Sequence, residues 1–435
     1  MVCLLSKINQ LIEKTIHKQI FNFINQNNIL YKHQYGYQPK KSTATALINI
    51  TEHIKKNMEN KLHTIGIYLD LSKAFDTVDH NILFDKLKYI GIRGHPLKLI
   101  KSYLQNRRQF TVIQEKTSDT HCISHGVPQG SVLGPLLFLI YTNDIKNSTT
   151  EELRLFADDT NIFISHHDPK VLKAKAEHTL SNIKDWFDAN KLKVNTTKTD
   201  YSIFTTSTTL EQELNTLNFN NSKIHRSKSC KFLGLTLDDK LNFNEHTENL
   251  LNTLTKTGTA FKLIKNHVCH KDKHKLYNAY FNSKIKYGLE TYGLTSNKNL
   301  KILQRQQNRT LKIFFNKDRR TRTKELHKEL NILMIRDQRN KCLAEIVHKH
   351  LHKDTENTAY EDSSSVPFKR NNTIHNHNTR QTNDLHVPKF KTKIGQNTIE
   401  HTASKIWNEL PIELQQIHKL HIFKKQLKKH HISKY

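Results

Sequence analysis

Acidic side chains are scarce: 40 Asp and Glu stand against 69 Lys and Arg in 435 residues, a formal charge of +29 at pH 7. Such a deficit favours a polyanionic partner through counterion release, with nucleic acid foremost. Part of the excess also reads as charge decorating solvated helices, since Lys is used heavily along the whole chain. Cysteines are few and dispersed; Cys3, Cys122, Cys230, Cys269 and Cys342 form no C-x-x-C pair and no zinc-knuckle spacing. That pattern speaks against a disulfide framework or a thiolate metal site and fits reduced thiols in an intracellular protein. Long apolar runs are missing too, so no membrane span is expected, and "MVCLLSKINQ" turns polar too quickly for a signal peptide. The length suits two or three folding units.

The elements that are present alternate in type. Ile8, Leu11, Ile12, Ile16, Ile20, Phe23 and Ile24 recur at helical spacing, so the chain is expected to begin almost directly in an amphipathic helix. A turn region, "YGYQPKKSTATALINI", feeds a second helix through Ser42 or Thr43. "HTIGIYLDLSKAF" reads as a buried strand with Asp70 near its end, and "HNILFDKLKYIG" as a helix closed by Gly91. "GVPQGSVLGPLLFLIYTNDI" opens as a Gly/Pro loop and becomes an apolar helix after Pro135. "RLFADDTNIF" reads as a β-hairpin, followed by a helix with Leu172, Ala176, Leu180, Ile183 and Phe187 on one stripe. Short strands follow at "YSIF" and "CKFLGLTLDD", then mostly helix from His246 to Leu351. The order is an α+β pattern compatible with a split βαβ sheet backed by helices. A polar stretch after about residue 353 reads as a linker, and "IHNHNTR", with His375 and His377, as a polar loop. The chain ends in a basic amphipathic helix.

Asp158 and Asp159 sit at the turn of the hairpin. Two adjacent aspartates are usually a turn preference. Here, however, a second strand ends in Asp70, and a neighbouring register would bring it against Asp158. Carboxylates so placed repel unless divalent cations lie between them, and oxygen donors without His or Cys suit Mg²⁺ or Mn²⁺. Hard metals on paired carboxylates serve phosphoryl transfer. With the basic charge, this points to nucleotidyl transfer on nucleic acid.

Five blocks, "YLDLSKAFDTVDH", "HGVPQGSVLGPLLFLIYTNDI", "LFADDT", "NKLKVNTTKT" and "KFLGLTLD", resemble in order those of the reverse transcriptases of non-LTR retrotransposons, nearest the jockey and CR1-like group. The resemblance covers roughly the first 240 residues, and the tail from "HNTRQTND" to "WNELP" is similar to the C-terminal segment of such elements. It implies an RNA-directed DNA polymerase using Mg²⁺, an RNA template, a DNA primer and deoxynucleoside triphosphates. It also implies a right-hand polymerase architecture: partial fingers and palm over residues 1–240, a helical thumb over 241–352 whose basic helices follow the template–primer backbone, and a small basic C-terminal region over 353–435.

By the same resemblance Asp70 and Asp158 would ligate the metals, with Asp159 beside them and Leu71 offering its backbone carbonyl. Phe75 would exclude a ribose 2′-OH, Gln129 would line the nucleotide and template, and Lys198 would lie near the triphosphate. Phe232, Leu233 and Gly234 would form the primer grip. Ordinary structural explanations stand beside these: Phe75 as core, Gln129 as a helix cap, Lys198 as a solvated turn lysine, Leu233 and Gly234 as strand and turn. Where the family commonly has an arginine, this chain has Gln38, so Lys40 or Lys41 is expected to supply the missing charge. The resemblance also starts part-way through the first block and no endonuclease precedes it, so a truncated copy is expected, either still active or a relic that only binds nucleic acid. Residence in the nucleus is expected, since such an element must reach DNA.

Overall fold

The computed structural model describes residues 7–114, 116–207, 212–219, 222–352, 366–374 and 382–435. The chain divides into two compact units, one from residues 1–43, 63–203 and 207–227, the other from residues 44–62, 204–206 and 228–435.

The first unit is built on a four-stranded sheet. Its strands are β1 (His63–Leu69), then, after four short strands β2 (Arg107–Gln109), β3 (Val112–Ile113), β4 (Lys116–Thr117) and β5 (His121–Ile123), β6 (Glu152–Phe156), β7 (Asp159–His166) and β8 (Asp200–Phe204). The order across the sheet is β6-β7-β1-β8, with β7 antiparallel to both β6 and β1. The ribbons β2–β5 and β3–β4 carry largely exposed side chains and had no pattern to announce them in the sequence. Strands β9 (Thr216–Phe219) and β10 (Ser222–His225) form a further hairpin.

Helices α1 (Lys7–Gln26), α3 (His80–Tyr89), α4 (Gly94–Leu104), α5 (Leu133–Thr142) and α6 (Pro169–Ala189) belong to this unit, while α2 (Thr43–Glu59) lies almost wholly in the second. Along α6, Leu172, Ala176, Leu180, Ile183 and Phe187 are all buried, so the apolar stripe faces the core as its spacing requires. Asp168 caps that helix by accepting from Lys170 N–H at 2.8 Å, with Pro169 in the first turn. Helix α5 starts at Leu133, two residues ahead of Pro135, because the buried Glu13 of α1 accepts from Val132 N–H at 2.6 Å and Leu133 N–H at 3.3 Å. The stripe on α1 is only half used: Ile20 and Ile24 are buried, whereas Ile8, Leu11 and Ile12 are each more than half exposed.

The second unit contains the hairpin β11 (Ser229–Phe232) and β12 (Leu235–Asp238) and the helices α7 (Asn244–Ile264), α8 (His270–Leu276), α9 (Ser283–Lys286), α10 (Leu289–Tyr292), α11 (Asn297–Phe314), α12 (Thr323–Glu329), α13 (Ile335–Leu351), α14 (Lys393–Gln396), α15 (Ile399–Asn408), α16 (Ile412–Gln415) and α17 (Leu420–Ser433). The division of the chain at residues 227 and 228 lies upstream of the expected boundary at 240, because β11 and β12 join the helices. Ile48 of α2 packs into a core with Leu343 and Val347 of α13, Trp407 of α15 and Phe423 and Leu427 of α17. The end of the chain is therefore built into this unit. The buried Lys55 of α2 donates to the Asn397 carbonyl at 2.8 Å and to Glu52 at 3.4 Å, and Glu52 accepts from Ile399 N–H at 2.9 Å. Residues 353–365 and 375–381, which hold most of the expected linker together with His375 and His377, lie outside the described residues.

Candidate active site

The paired aspartates stand where two strands end. In the register of β1 against β7, Leu69 faces Thr160, so Asp70, the next residue, comes beside Asp159. In the β6–β7 hairpin Phe156 pairs with Asp159, leaving Ala157 and Asp158 as a two-residue turn. Only the first turn residue has positive φ, Ala157 at 56°, the sign pattern of a II′ turn, which normally takes glycine there. The segment before α2 holds this unfavourable turn. Gln34 Oε1 accepts from Ala157 N–H at 3.1 Å and from Gly36 N–H at 2.9 Å. Tyr35 N–H donates to the Leu155 carbonyl at 2.7 Å, and Leu155 N–H to the His33 carbonyl at 3.0 Å. A Cβ on Gly36 would lie 2.2 Å from Ala157 N, so only glycine permits the approach.

Asp70 is fixed from the other side. Asn195 N–H donates to the Asp70 carbonyl at 2.8 Å and Ser72 N–H to the Lys193 carbonyl at 2.9 Å. These bonds flank the Leu71–Val194 bridge, which turns the Leu71 carbonyl away from that neighbour. Burial behind it, then the Asp158 and Asp70 carboxylates, push the Asp159 pKa up to about 6 although one face of the side chain meets solvent. Lys198 Nζ lies 3.6 Å from Asp70 Oδ2, an exposed pair that offsets little of the repulsion. Among the described residues no three His, Cys, Asp or Glu side chains converge as a ready-made metal cage. Two carboxylates beside a backbone carbonyl nevertheless fit Mg²⁺, which keeps water and substrate phosphates in its shell.

An aromatic cluster reaches the carboxylates through Tyr37. Phe75 is half-buried, stacks on Phe138 with centroids 4.6 Å apart, and meets Tyr37 edge-on at 6.3 Å. Tyr37 has its pKa raised by burial and by Asp158. Gln129 Nε2 donates to Asp76 Oδ1 at 2.9 Å, tying the P-Q-G loop to the turn that carries Phe75. Val127 N–H reinforces this by donating to the Phe75 carbonyl at 2.8 Å. Lys41 is committed to its own loop: Nζ donates to the carbonyls of Lys32 at 2.6 Å and Gln34 at 3.0 Å, and burial lowers its pKa to about 8. Lys40, at φ 64°, is the exposed lysine of the two. The Gln38 amide nitrogen is buried without a hydrogen-bond partner.

Phe232, Leu233 and Gly234 belong to the second unit, at the turn of β11 and β12. Phe232 is buried, and both turn residues have positive φ, Leu233 at 43° and Gly234 at 82°. Tyr287 OH donates to the Leu233 carbonyl at 2.6 Å, and its ring would meet a Cβ on Gly234 at 3.1 Å. Reading the sequence alone missed Gln34, Gly36, Tyr37 and Asp76. The only signal for the first three was the turn composition of "QYGYQPKK", which says nothing of the hairpin it grips.

Residues 1–237 match the family described as reverse transcriptase (RNA-dependent DNA polymerase). The chain is 26% identical over 354 residues to the probable RNA-directed DNA polymerase from transposon BS of Drosophila melanogaster, an alignment covering 78% of this chain and 38% of that protein. It is 26% identical over 349 residues to the RNA-directed DNA polymerase from mobile element jockey of the same species, covering 77% and 37%. The chain thus spans under two-fifths of the length of these relatives. A telomerase structure from Candida tropicalis aligns with a TM-score of 0.41 at 11% identity, covering 80% of this chain and 60% of that one, a likeness too loose to place any residue.

Proposed function

Because the chain belongs to the reverse transcriptase family, we propose that it extends a DNA primer with deoxynucleotides along an RNA template, as the polymerase part of a jockey-like non-LTR element. The observation that carries the reading is the meeting of Asp70, Asp158 and Asp159 at the ends of β1 and the β6–β7 turn. In this reading the sheet unit serves as palm and fingers, and the helices of the second unit as thumb. Asp70, Asp158 and the Leu71 carbonyl would hold divalent cations, Mg²⁺ foremost, which when bound activate the primer hydroxyl and neutralise the pyrophosphate. Asp159 supports the adjacent carboxylates and the primer end. Phe75, held rigid on Phe138, presents the wall that leaves no room for a 2′-OH. Gln129, anchored on Asp76, lines the nucleotide pocket, and Lys198 moves from Asp70 to the triphosphate once substrate binds. The Phe232–Gly234 turn grips the primer, and the protein works in the nucleus, where its DNA lies.

Primer extension by the purified chain on an RNA template, with Mg²⁺, with EDTA and with Asp158→Asn, tests the proposal. Metal-dependent synthesis is expected, falling on the order of 10³-fold or more in the variant while template–primer binding persists. No synthesis by a folded, duplex-binding chain would make it a relic. The arginine position gives a finer check: Gln38→Arg supplies a planar cation able to grip phosphate and is expected to lower the nucleotide KM several-fold. An unchanged KM would remove Gln38 from the nucleotide site.

A further inference from the structure

A cavity of about 730 Å³ lies wholly within the second unit, among α13, α17, the loop after α12 and a π-helical turn over Tyr277–Asn282. Its volume falls in the range of small-ligand sites, and π turns recur at such places. Four lysines line it: Lys286, Lys341, Lys424 and Lys428. Lys341 and Lys424 share Glu345, the latter at 3.3 Å, and Glu329 on the rim is taken by Lys317. Lys286 and Lys428 have no carboxylate partner among the described residues, so the cavity keeps unneutralised positive charge. The Lys428 ammonium is held below its ordinary pKa by burial and by Lys286 and Lys341, as expected where cations gather without an anion.

Two amides in the same wall are unsatisfied. Gln338 is 3% exposed and its Nε2 has no acceptor; Asn282 is 7% exposed and its Oδ1 has no donor. The other end of Asn282 is fixed, Nδ2 donating to Asn278 Oδ1 at 3.0 Å. Buried polar atoms left unpaired are costly and rare, and each calls for a missing partner. One amide here needs an acceptor and the other a donor, beside free ammonium groups. From this we infer that the cavity binds a small phosphorylated ligand that also carries hydroxyl or amine donors, the class of sugar phosphates and nucleotides. Its phosphate would sit on Lys286, Lys428 and the Gln338 amide, and a donor group on Asn282.

Calorimetric titration of the full chain in EDTA tests this with two probes, inorganic pyrophosphate and adenosine 5′-diphosphate, in the Asp158→Asn background so that the carboxylate site plays no part. Adenosine diphosphate is expected to bind at least tenfold more tightly than pyrophosphate. A Lys286→Gln/Lys428→Gln pair should weaken both probes at least tenfold, and Asn282→Leu should bring the diphosphate down to the pyrophosphate level. Gln338→Leu distinguishes a ligand site from a mere packing flaw: it should raise the melting temperature of the free protein while abolishing the rise that adenosine diphosphate gives the parent. No heat from a folded protein, or affinities unmoved by the lysine pair, would overturn the inference. So would a twelve-nucleotide RNA that displaces the diphosphate and loses affinity equally in the lysine pair, since the cavity would then be a stretch of nucleic-acid track. Primer extension by the lysine pair with Asp158 intact reports separately on the polymerase reading.

Discussion

Two hairpins, one in each unit, end in two-residue turns that each place a non-glycine residue at positive φ, and they are held to different extents. At the β6–β7 turn the left-handed residue is Ala157, and a whole segment holds it: His33 and Tyr35 make backbone bonds to Leu155, the Gln34 side chain accepts from Ala157 N–H, and Gly36 closes to contact. At the β11–β12 turn both residues are left-handed, and one side chain, Tyr287, holds the Leu233 carbonyl while its ring packs over Gly234. The first arrangement fixes charge. Asp158 sits next to Asp159, whose proton is held by burial and then by the Asp158 and Asp70 carboxylates, so like charges gather at this turn and the bonds of segment 33–36 act against their repulsion. The second turn carries no charge at its tip, and one hydrogen bond of about 1 kcal/mol with ring packing suffices.

The largest break in that comparison is expected from Gly36→Ala. The added methyl meets the Ala157 backbone, so the β6–β7 turn must shift; stability should fall by about 1–3 kcal/mol. A displacement near 1 Å of Asp158 should cost on the order of 10²-fold in extension rate. Rate and melting temperature measured together check it, and a variant that keeps full activity would show that segment 33–36 does not position the aspartates. Gly234→Ala is the matched change in the other hairpin. There the neighbour is a tyrosine ring able to yield, so the cost is mainly the φ of 82°, about 1–2 kcal/mol. Template–primer affinity is expected to weaken while the rate at saturating primer holds. A rate loss equal to that of Gly36→Ala would make the two turns functionally alike.

The contrast also marks what the sequence could disclose. Asp70, Asp158 and Asp159 were legible because each sits at the end of an apolar strand, where a carboxylate needs a reason, and strand alternation is local. The stripe of α6 was legible for the same cause, its period being written in consecutive turns. Gln34 was not, since its partner lies 123 residues away and nothing in a Gln-Tyr-Gly run encodes a distant N–H. Lys41 invited an expectation as a phosphate ligand, yet it serves carbonyls of its own loop, a choice made by burial. The membership of α2 in the second unit depends on Glu52 and Lys55, buried against residues near 400, and long-range pairing of that kind leaves no periodic trace. The ribbons of residues 107–123 escaped because exposed strands of two or three residues lack an inward face to alternate against.

The smallest effect expected is a dependence on pH confined to one hairpin. The folded protein holds the Asp159 proton up to about pH 6, against an ordinary value of 3.8. Between those values the folded state binds the proton and the unfolded state does not. By linkage, stability contributed by this group is complete below about pH 4 and is lost as pH rises through 6. Asp159→Asn removes the proton from the account, so the variant should gain melting temperature relative to the parent from pH 4 to 6 and keep a constant offset above. No such slope is expected at the Leu233–Gly234 turn, whose tip has nothing to titrate. Divalent metal should oppose that loss: a cation on Asp70 and Asp158 favours the charged form of the neighbouring Asp159, so Mg²⁺ should stabilise the parent increasingly as pH rises past 6, and the variant, neutral at that position, less. Melting curves with and without Mg²⁺ across pH 4 to 8 read both slopes. A parent whose curve runs parallel to Asp159→Asn throughout would mean that the three carboxylates do not share one field.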